Sequence, residues 1–143
     1  MNQYDDAERG KFQTGYANQL VSFDGMMFKG REGVLNVSPT DIDGFIQLDD
    51  GKIFIFFELK HSGSMPGGQE RALTTLADTV RSGGGECIVI EAVHNTEYPD
   101  VIIAKYAQVA RVYYMGRWHT DPKNRPLYEL AVSYIDYVRR KAA

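Results

Sequence analysis

The stretch Thr40-Asp41-Ile42-Asp43-Gly44-Phe45-Ile46-Gln47-Leu48-Asp49-Asp50-Gly51-Lys52-Ile53-Phe54-Ile55-Phe56-Phe57-Glu58-Leu59-Lys60 decides how this chain is read. Two apolar runs flank an Asp-Gly pair, the strongest short-range signal for a β-hairpin, because a two-residue type I′ turn needs positive φ at both centres. With Asp50 and Gly51 as that turn, Asp43 stands opposite Glu58 and Asp41 opposite Lys60. Side chains alternate along a strand, so all four project from one face. Three carboxylates and an amine on one face of a hydrophobic hairpin read as a metal site beside a positioned cation. The plainer reading is a set of cross-strand ion pairs, yet Asp43 facing Glu58 sets like charges together, which destabilises a sheet unless a cation lies between them. A bulged three-residue loop would instead shift the register and weaken the face assignment.

Outward from the hairpin, the segment from His61 to Gly68 is a loop rich in turn residues, either a flap over a substrate or a plain connection. A helix follows over Gln69 to Arg81, with Ala72, Leu73, Leu76, Ala77 and Val80 as its expected buried stripe. Gln69 precedes Leu73 by one turn and so points to the sheet, near the end of Lys60. Gly83-Gly84-Gly85 ends the helix. Glu86 to Val93 reads as a buried strand, and strand, helix and strand make a parallel crossover. Val101 to Ala104 and Val109 to Tyr114 are candidates for one or two further strands, and Gly116 to His119 for a turn into a short edge. Pro126 opens a last helix whose inner face is Leu127, Leu130, Ala131, Tyr134 and Val138. Before the hairpin, residues 1–10 are polar and expected to be flexible. Tyr16, Gln19, Leu20 and Phe23 fall at helical spacing, and Val34 to Val37 suits a first strand.

The 143 residues fit one domain, 1–143, and 43% apolar with 24% charged content is that of an ordinary globular protein. No apolar run approaches the roughly 20 residues that span a bilayer. Residues Met1 to Glu8 lack the basic and apolar regions of a secretory signal. Cys87 is the single cysteine, which excludes an intramolecular disulfide and suits a reducing cytoplasm. His61, His94 and His119 lack ligand spacing for zinc. The net charge of −3 gives no global attraction to nucleic acid, so phosphate contact would depend on local basic groups. Candidates are Lys29 with Arg31, Arg71 with Arg81, and Arg117, Lys123 and Arg125.

Pro39-Thr40-Asp41-Ile42-Asp43-Gly44, Glu58-Leu59-Lys60 and Gln69 together resemble the PD-(D/E)xK nuclease superfamily, and more narrowly a group of small nucleases carried by bacteriophages and prophages. The resemblance covers residues 18 to 95 best. It implies a restriction-endonuclease-like α/β fold, a mixed sheet flanked by helices with an αβββαβ-type core and a C-terminal helix. It also implies a Mg²⁺-dependent hydrolase of nucleic-acid phosphodiesters, with DNA favoured, acting as an endonuclease or a resolvase of branched DNA in a bacterial cytoplasm. Catalytic roles then fall to Asp43, Glu58, Lys60 and Gln69. Mg²⁺, with Mn²⁺ able to substitute, would be held by Asp43, Glu58 and the main-chain carbonyl of Leu59. Thr40 interrupts the Pro-Asp pair, so either Asp41 or Asp43 could be the principal ligand. Asp43 is favoured because it faces Glu58, and Asp41 could bind a second ion or hold Lys60. Arg71, Arg117 and Lys123 are the candidate nucleic-acid contacts, and a homodimer is implied by the resemblance alone. The alternative is a catalytically silent relative, a phage accessory or counter-defence protein that binds nucleic acid or a protein.

Overall fold

The computed structural model describes residues 25–31, 37 and 39–143. The chain divides into two units, Met1–Pro39 and Thr40–Ala143. In the first, Phe28 and Val37 exchange both backbone hydrogen bonds at 2.7 Å as an isolated antiparallel bridge. The helix expected around Tyr16 to Phe23 and the strand residues Val34 to Asn36 lie outside the described residues.

The second unit begins with the hairpin. β1 (Gly44–Leu48) and β2 (Ile53–Lys60) pair antiparallel, Phe45 opposite Phe56 and Leu48 opposite Ile53, in the register expected from the Asp-Gly turn. Asp50 and Gly51 both take positive φ, 54° and 82°, as a type I′ turn demands. Asp49 is also left-handed at φ 56°, and Arg139 forks onto its carboxylate at 2.9 and 3.0 Å. The ladder stops at Gly44 opposite Phe57, so Asp41 and Asp43 lie just beyond the strand rather than within it.

From Lys60 the chain passes through α1 (Gly67–Ser82) to β3 (Glu86–Val93), which lies parallel to β2. β4 (Gln108–Tyr114) and β5 (Arg117–His119) complete a five-stranded mixed sheet in sequential order. Met115 and Gly116, at φ 52° and 81°, form the tight turn between them. The expected strand at Val101 to Ala104 does not form. Val101, Ile102 and Ile103 are exposed, with no strand beside them among the described residues, and a short 3₁₀ turn (Ala104–Tyr106) leads into β4 instead. α2 (Leu127–Ala142) closes the unit, and its first turn is tied to β4 by the Leu127 N–H to Ala107 carbonyl bond of 2.8 Å.

Alternation along β2 explains the two cores. Ile53 and Ile55 join Ile88, Ile90 and Val112 under α2, which buries Leu127, Leu130, Ala131, Tyr134 and Val138 as its spacing predicts. Phe56 joins Cys87, Val89 and Tyr113 under α1, which buries Leu73 and Ala77. Each such aliphatic side chain contributes about 1.5–3 kcal/mol through burial. β3 is covered by both helices and is therefore apolar along its length rather than alternating. Ala72 and Leu76, expected in the α1 stripe, are exposed, because the helix meets the sheet along the narrower line of Leu73, Ala77 and Val80. Among the described residues no helix is long and apolar enough to cross a membrane.

Candidate active site

At the carboxyl end of β2 the odd-even alternation that sends Ile53 and Ile55 to α2 sends Phe54, Phe56, Glu58 and Lys60 to the α1 face. Glu58 is 1% exposed, at the end of the hairpin ladder. There a side-chain clasp takes over from strand pairing. The Asp43 N–H donates to Glu58 Oε1 at 3.2 Å, and the Leu59 N–H donates to Asp43 Oδ2 at 2.7 Å. The two acids therefore meet on one face, each carboxylate accepting from backbone beside the other. Gly44 makes this entry possible: a Cβ there would overlap the Phe57 ring packed against it on the opposite face. In a strand the N–H and C=O of one residue face the same neighbour, so the Leu59 carbonyl opens on the Asp43 side, beyond the last ladder pair.

Gln69, in the first turn of α1, joins the pair to the lysine. Its amide donates to Glu58 Oε2 at 2.8 Å and accepts from Lys60 Nζ at 3.0 Å. Lys60 Nζ stands 3.9 Å from Glu58 Oε2. Asp43, Glu58, Lys60 and Gln69 thus form one connected cluster, drawn from three elements.

Burial, followed by the charge of Asp43, pushes the Glu58 carboxyl from 4.5 up to about 7, against the downward pull of the Asp43 N–H and the Lys60 ammonium. Near neutral pH Glu58 therefore readily keeps a proton, which marks a place that favours positive charge. Two carboxylates and a backbone carbonyl are hard oxygen donors of the kind that suit Mg²⁺, an ion that keeps several waters. Among the described residues no three Asp, Glu, His or Cys side chains converge as a metal-holding group. The oxygens that the cluster itself presents are those of Asp43 and Glu58, beside the Leu59 carbonyl.

Asp41 is exposed and, among the described residues, makes no ion pair. The expected Asp41–Lys60 pairing is absent because β1 begins three residues later and the lysine turns to Gln69. Of the basic candidates, Arg71, Arg117 and Lys123 are exposed on α1, β5 and the loop before α2, so they line no single strand or helix. Arg81 is engaged by Glu86 at 2.8 Å and lies over Tyr114, and Arg125 reaches Glu129 and Ser133.

The sequence reading missed a second buried acid. Glu91, 2% exposed, pairs in register with Glu58 on the neighbouring strand. Arg111 neutralises it through bonds of 3.0 and 3.2 Å and also reaches Glu70 at 3.2 Å, while its guanidinium lies 3.8 Å from the centre of the Trp118 ring. Glu91 Oε2 further accepts the Met65 N–H at 3.0 Å, fixing the loop that leads into α1. One signal was available: a carboxylate inside an otherwise apolar, doubly covered strand requires a cation. Which cation answers it is settled only by the pairing of Glu91 with Arg111 across β3 and β4.

Comparison of the chain with protein-family models, with curated proteins and with solved structures yields no match.

Proposed function

We propose that the Asp43–Glu58–Lys60–Gln69 cluster is the active site of a metal-dependent hydrolase of nucleic-acid phosphodiesters, DNA by preference, built on a restriction-endonuclease-like arrangement. The observation that carries this reading is the clasp itself. Two carboxylates are held together at a strand end, one of them buried and titrating near 7, with an ammonium group linked to them through Gln69. Asp43, Glu58 and the Leu59 carbonyl would hold Mg²⁺ or Mn²⁺, which when bound polarises a phosphoryl oxygen and acidifies a coordinated water. Gln69 restrains both the Glu58 carboxylate and the Lys60 amine, so neither must be ordered when substrate arrives. Lys60 is placed to orient the attacking water and to stabilise negative charge that grows on the phosphoryl group. Glu91 and Arg111 anchor the loop beside the cluster without adding net charge to it.

Incubating the purified protein with plasmid, linear, single-stranded and branched DNA in Mn²⁺ or Mg²⁺ tests the reading. Cleavage that requires the metal and Lys60 supports it, and intact substrate under every condition rejects it. The donor set of only two carboxylates favours a second reading, a catalytically silent member that binds nucleic acid or a protein. That reading expects binding without metal-dependent cleavage.

A further inference from the structure

Beside the acidic clasp, on the same face of the sheet, lies a triangle of aromatic rings whose inner members belong to the α1 core layer and whose outer member, Phe45, does not. Phe56 precedes Glu58 by two residues on β2, so strand alternation sets both on the α1 side, Phe45 shares that face as the cross-strand partner of Phe56, and Asp43, just before β1, joins through its clasp with Glu58. Phe45 and Phe56 are direct cross-strand partners with ring centres 5.5 Å apart and planes 15° apart. Phe54 completes the set, 6.2 Å from Phe45 at 20° and 6.4 Å from Phe56 at 21°. The three rings are thus nearly parallel. Their exposure is graded: Phe56 is buried under Leu73, Ala77 and Met65, Phe54 is half-buried, and Phe45 is 56% exposed. Among the described residues α1 packs over β3 and reaches Phe56, leaving Phe45 outside both core clusters.

We propose that Phe45, backed by Phe54 and Phe56, is a stacking platform for an unpaired base, and that the substrate class of the site is single-stranded nucleic acid. The inference rests on the hydrolase reading for its phosphate, and on the rings for its base. A base lying on the exposed Phe45 ring would add one more near-parallel ring to this group, whereas the bases of an intact duplex already stack on one another and present only their edges. Two residues along a strand span about 6.6 Å, comparable with the sugar and phosphate that join one base to the next. On β2 that spacing separates Phe56 from Glu58, so a base seated on Phe45, the cross-strand partner of Phe56, would have an adjoining phosphate directed toward the clasp. Charge complements the platform at both ends. Lys60 stands past Glu58, and exposed Lys52 lies in the turn just before β2. With a net charge of −3 the chain has little long-range pull on a duplex, so attachment through stacking suits it better than attachment through phosphates alone.

The test uses the full chain without divalent ions, so that binding is read separately from cleavage. Fluorescence anisotropy would follow labelled oligo-dT, oligo-U and a matched duplex against wild type, Phe45→Ala and Phe45→Trp. Wild type should prefer the single strands to the duplex. Phe45→Ala should lose about tenfold in single-strand affinity, the loss of one base–aromatic stack, while Phe45→Trp retains it. A single-strand oligonucleotide carrying 2-aminopurine should be quenched by wild type and not by Phe45→Ala. Equal affinity of Phe45→Ala and wild type, no detectable single-strand binding, or duplex bound as tightly as single strand would each overturn the platform. So would a change from dimer to monomer on Phe45→Ala in sedimentation without a change in binding, which would assign the rings to a second copy of this chain. Cleavage by wild type with Phe45-independent binding rejects the platform alone. Phe45-dependent binding without cleavage supports the platform and rejects the hydrolase.

Discussion

Glu58 has a measurable consequence even before any metal is added. Its folded-state carboxyl is raised from 4.5 to about 7 by burial and by Asp43, so the folded chain binds this proton more tightly than the unfolded chain does. Its contribution to stability is therefore full below about pH 4.5 and is lost as the pH rises through about 7, a change of about 3 kcal/mol. Denaturant melts of the metal-free protein should thus lose stability between pH 5 and pH 8, and Glu58→Gln should flatten that decline. A wild-type curve level across the window would contradict the placement of the acid. Asp43→Asn should raise metal-free stability near pH 8 by removing the neighbouring charge, and should abolish any rise in Tm caused by Mg²⁺. A Tm response to Mg²⁺ unchanged in this variant would locate the ion elsewhere. Both carboxylates were readable from sequence, because a tight turn fixes which residues face each other. Gln69 was readable from helical spacing. The partner of Lys60 was not: nothing local distinguishes an amine that reaches across to Asp41 from one that bonds Gln69 on the next helix.

At the scale of elements, the site depends on how β1 ends and on what lies beneath α1. Gly44→Ala would force the Phe57 ring aside and is expected to cost about 1–3 kcal/mol by overpacking. It should also disturb the Asp43 clasp, read as loss of the Mg²⁺-induced rise in Tm. Arg111→Met would strand Glu91 as an unpaired buried charge and should cost about 3–5 kcal/mol in denaturant melts. The double variant Arg111→Met with Glu91→Leu should recover most of that. If the single variant melts like wild type, the Glu91–Arg111 pair does not anchor the loop at Met65. The elements with strong local signals, the hairpin, β3 and the inner face of α2, follow the reading of the sequence closely. Val101 to Ile103 carry the composition of a strand but pair with none among the described residues, and propensity without a partner does not make a sheet. Ala72 and Leu76 have the spacing of a core stripe, but the breadth of a helix contact is set by the sheet beneath it, which one-dimensional periodicity does not specify.

Across the sheet the work divides between two faces: α2 closes a layer of aliphatic side chains and tyrosines, while α1 shares its layer with Glu58, Lys60, Glu91 and Arg111. On the proposed function, an acidic chain would carry a site for phosphate because the charge that counts is the local set at one strand end rather than the total. The two-face division also explains why the mixed α/β class was accessible from sequence while the full site was not, since the second buried acid and its arginine meet only through β3 and β4. The decisive measurement pairs cleavage with metal binding in wild type, Lys60→Ala and Asp43→Ala, with DNA hydrolysis followed on gels in Mn²⁺ and ion uptake followed by calorimetry without DNA. Wild type should do both. Lys60→Ala should keep the ion and lose cleavage by at least about a hundredfold, the usual effect of deleting one electrostatic stabiliser, and Asp43→Ala should lose both. A Lys60→Ala protein that cleaves at the wild-type rate, or a wild type that takes up no divalent ion, would contradict a hydrolytic site built on Asp43, Glu58 and Lys60.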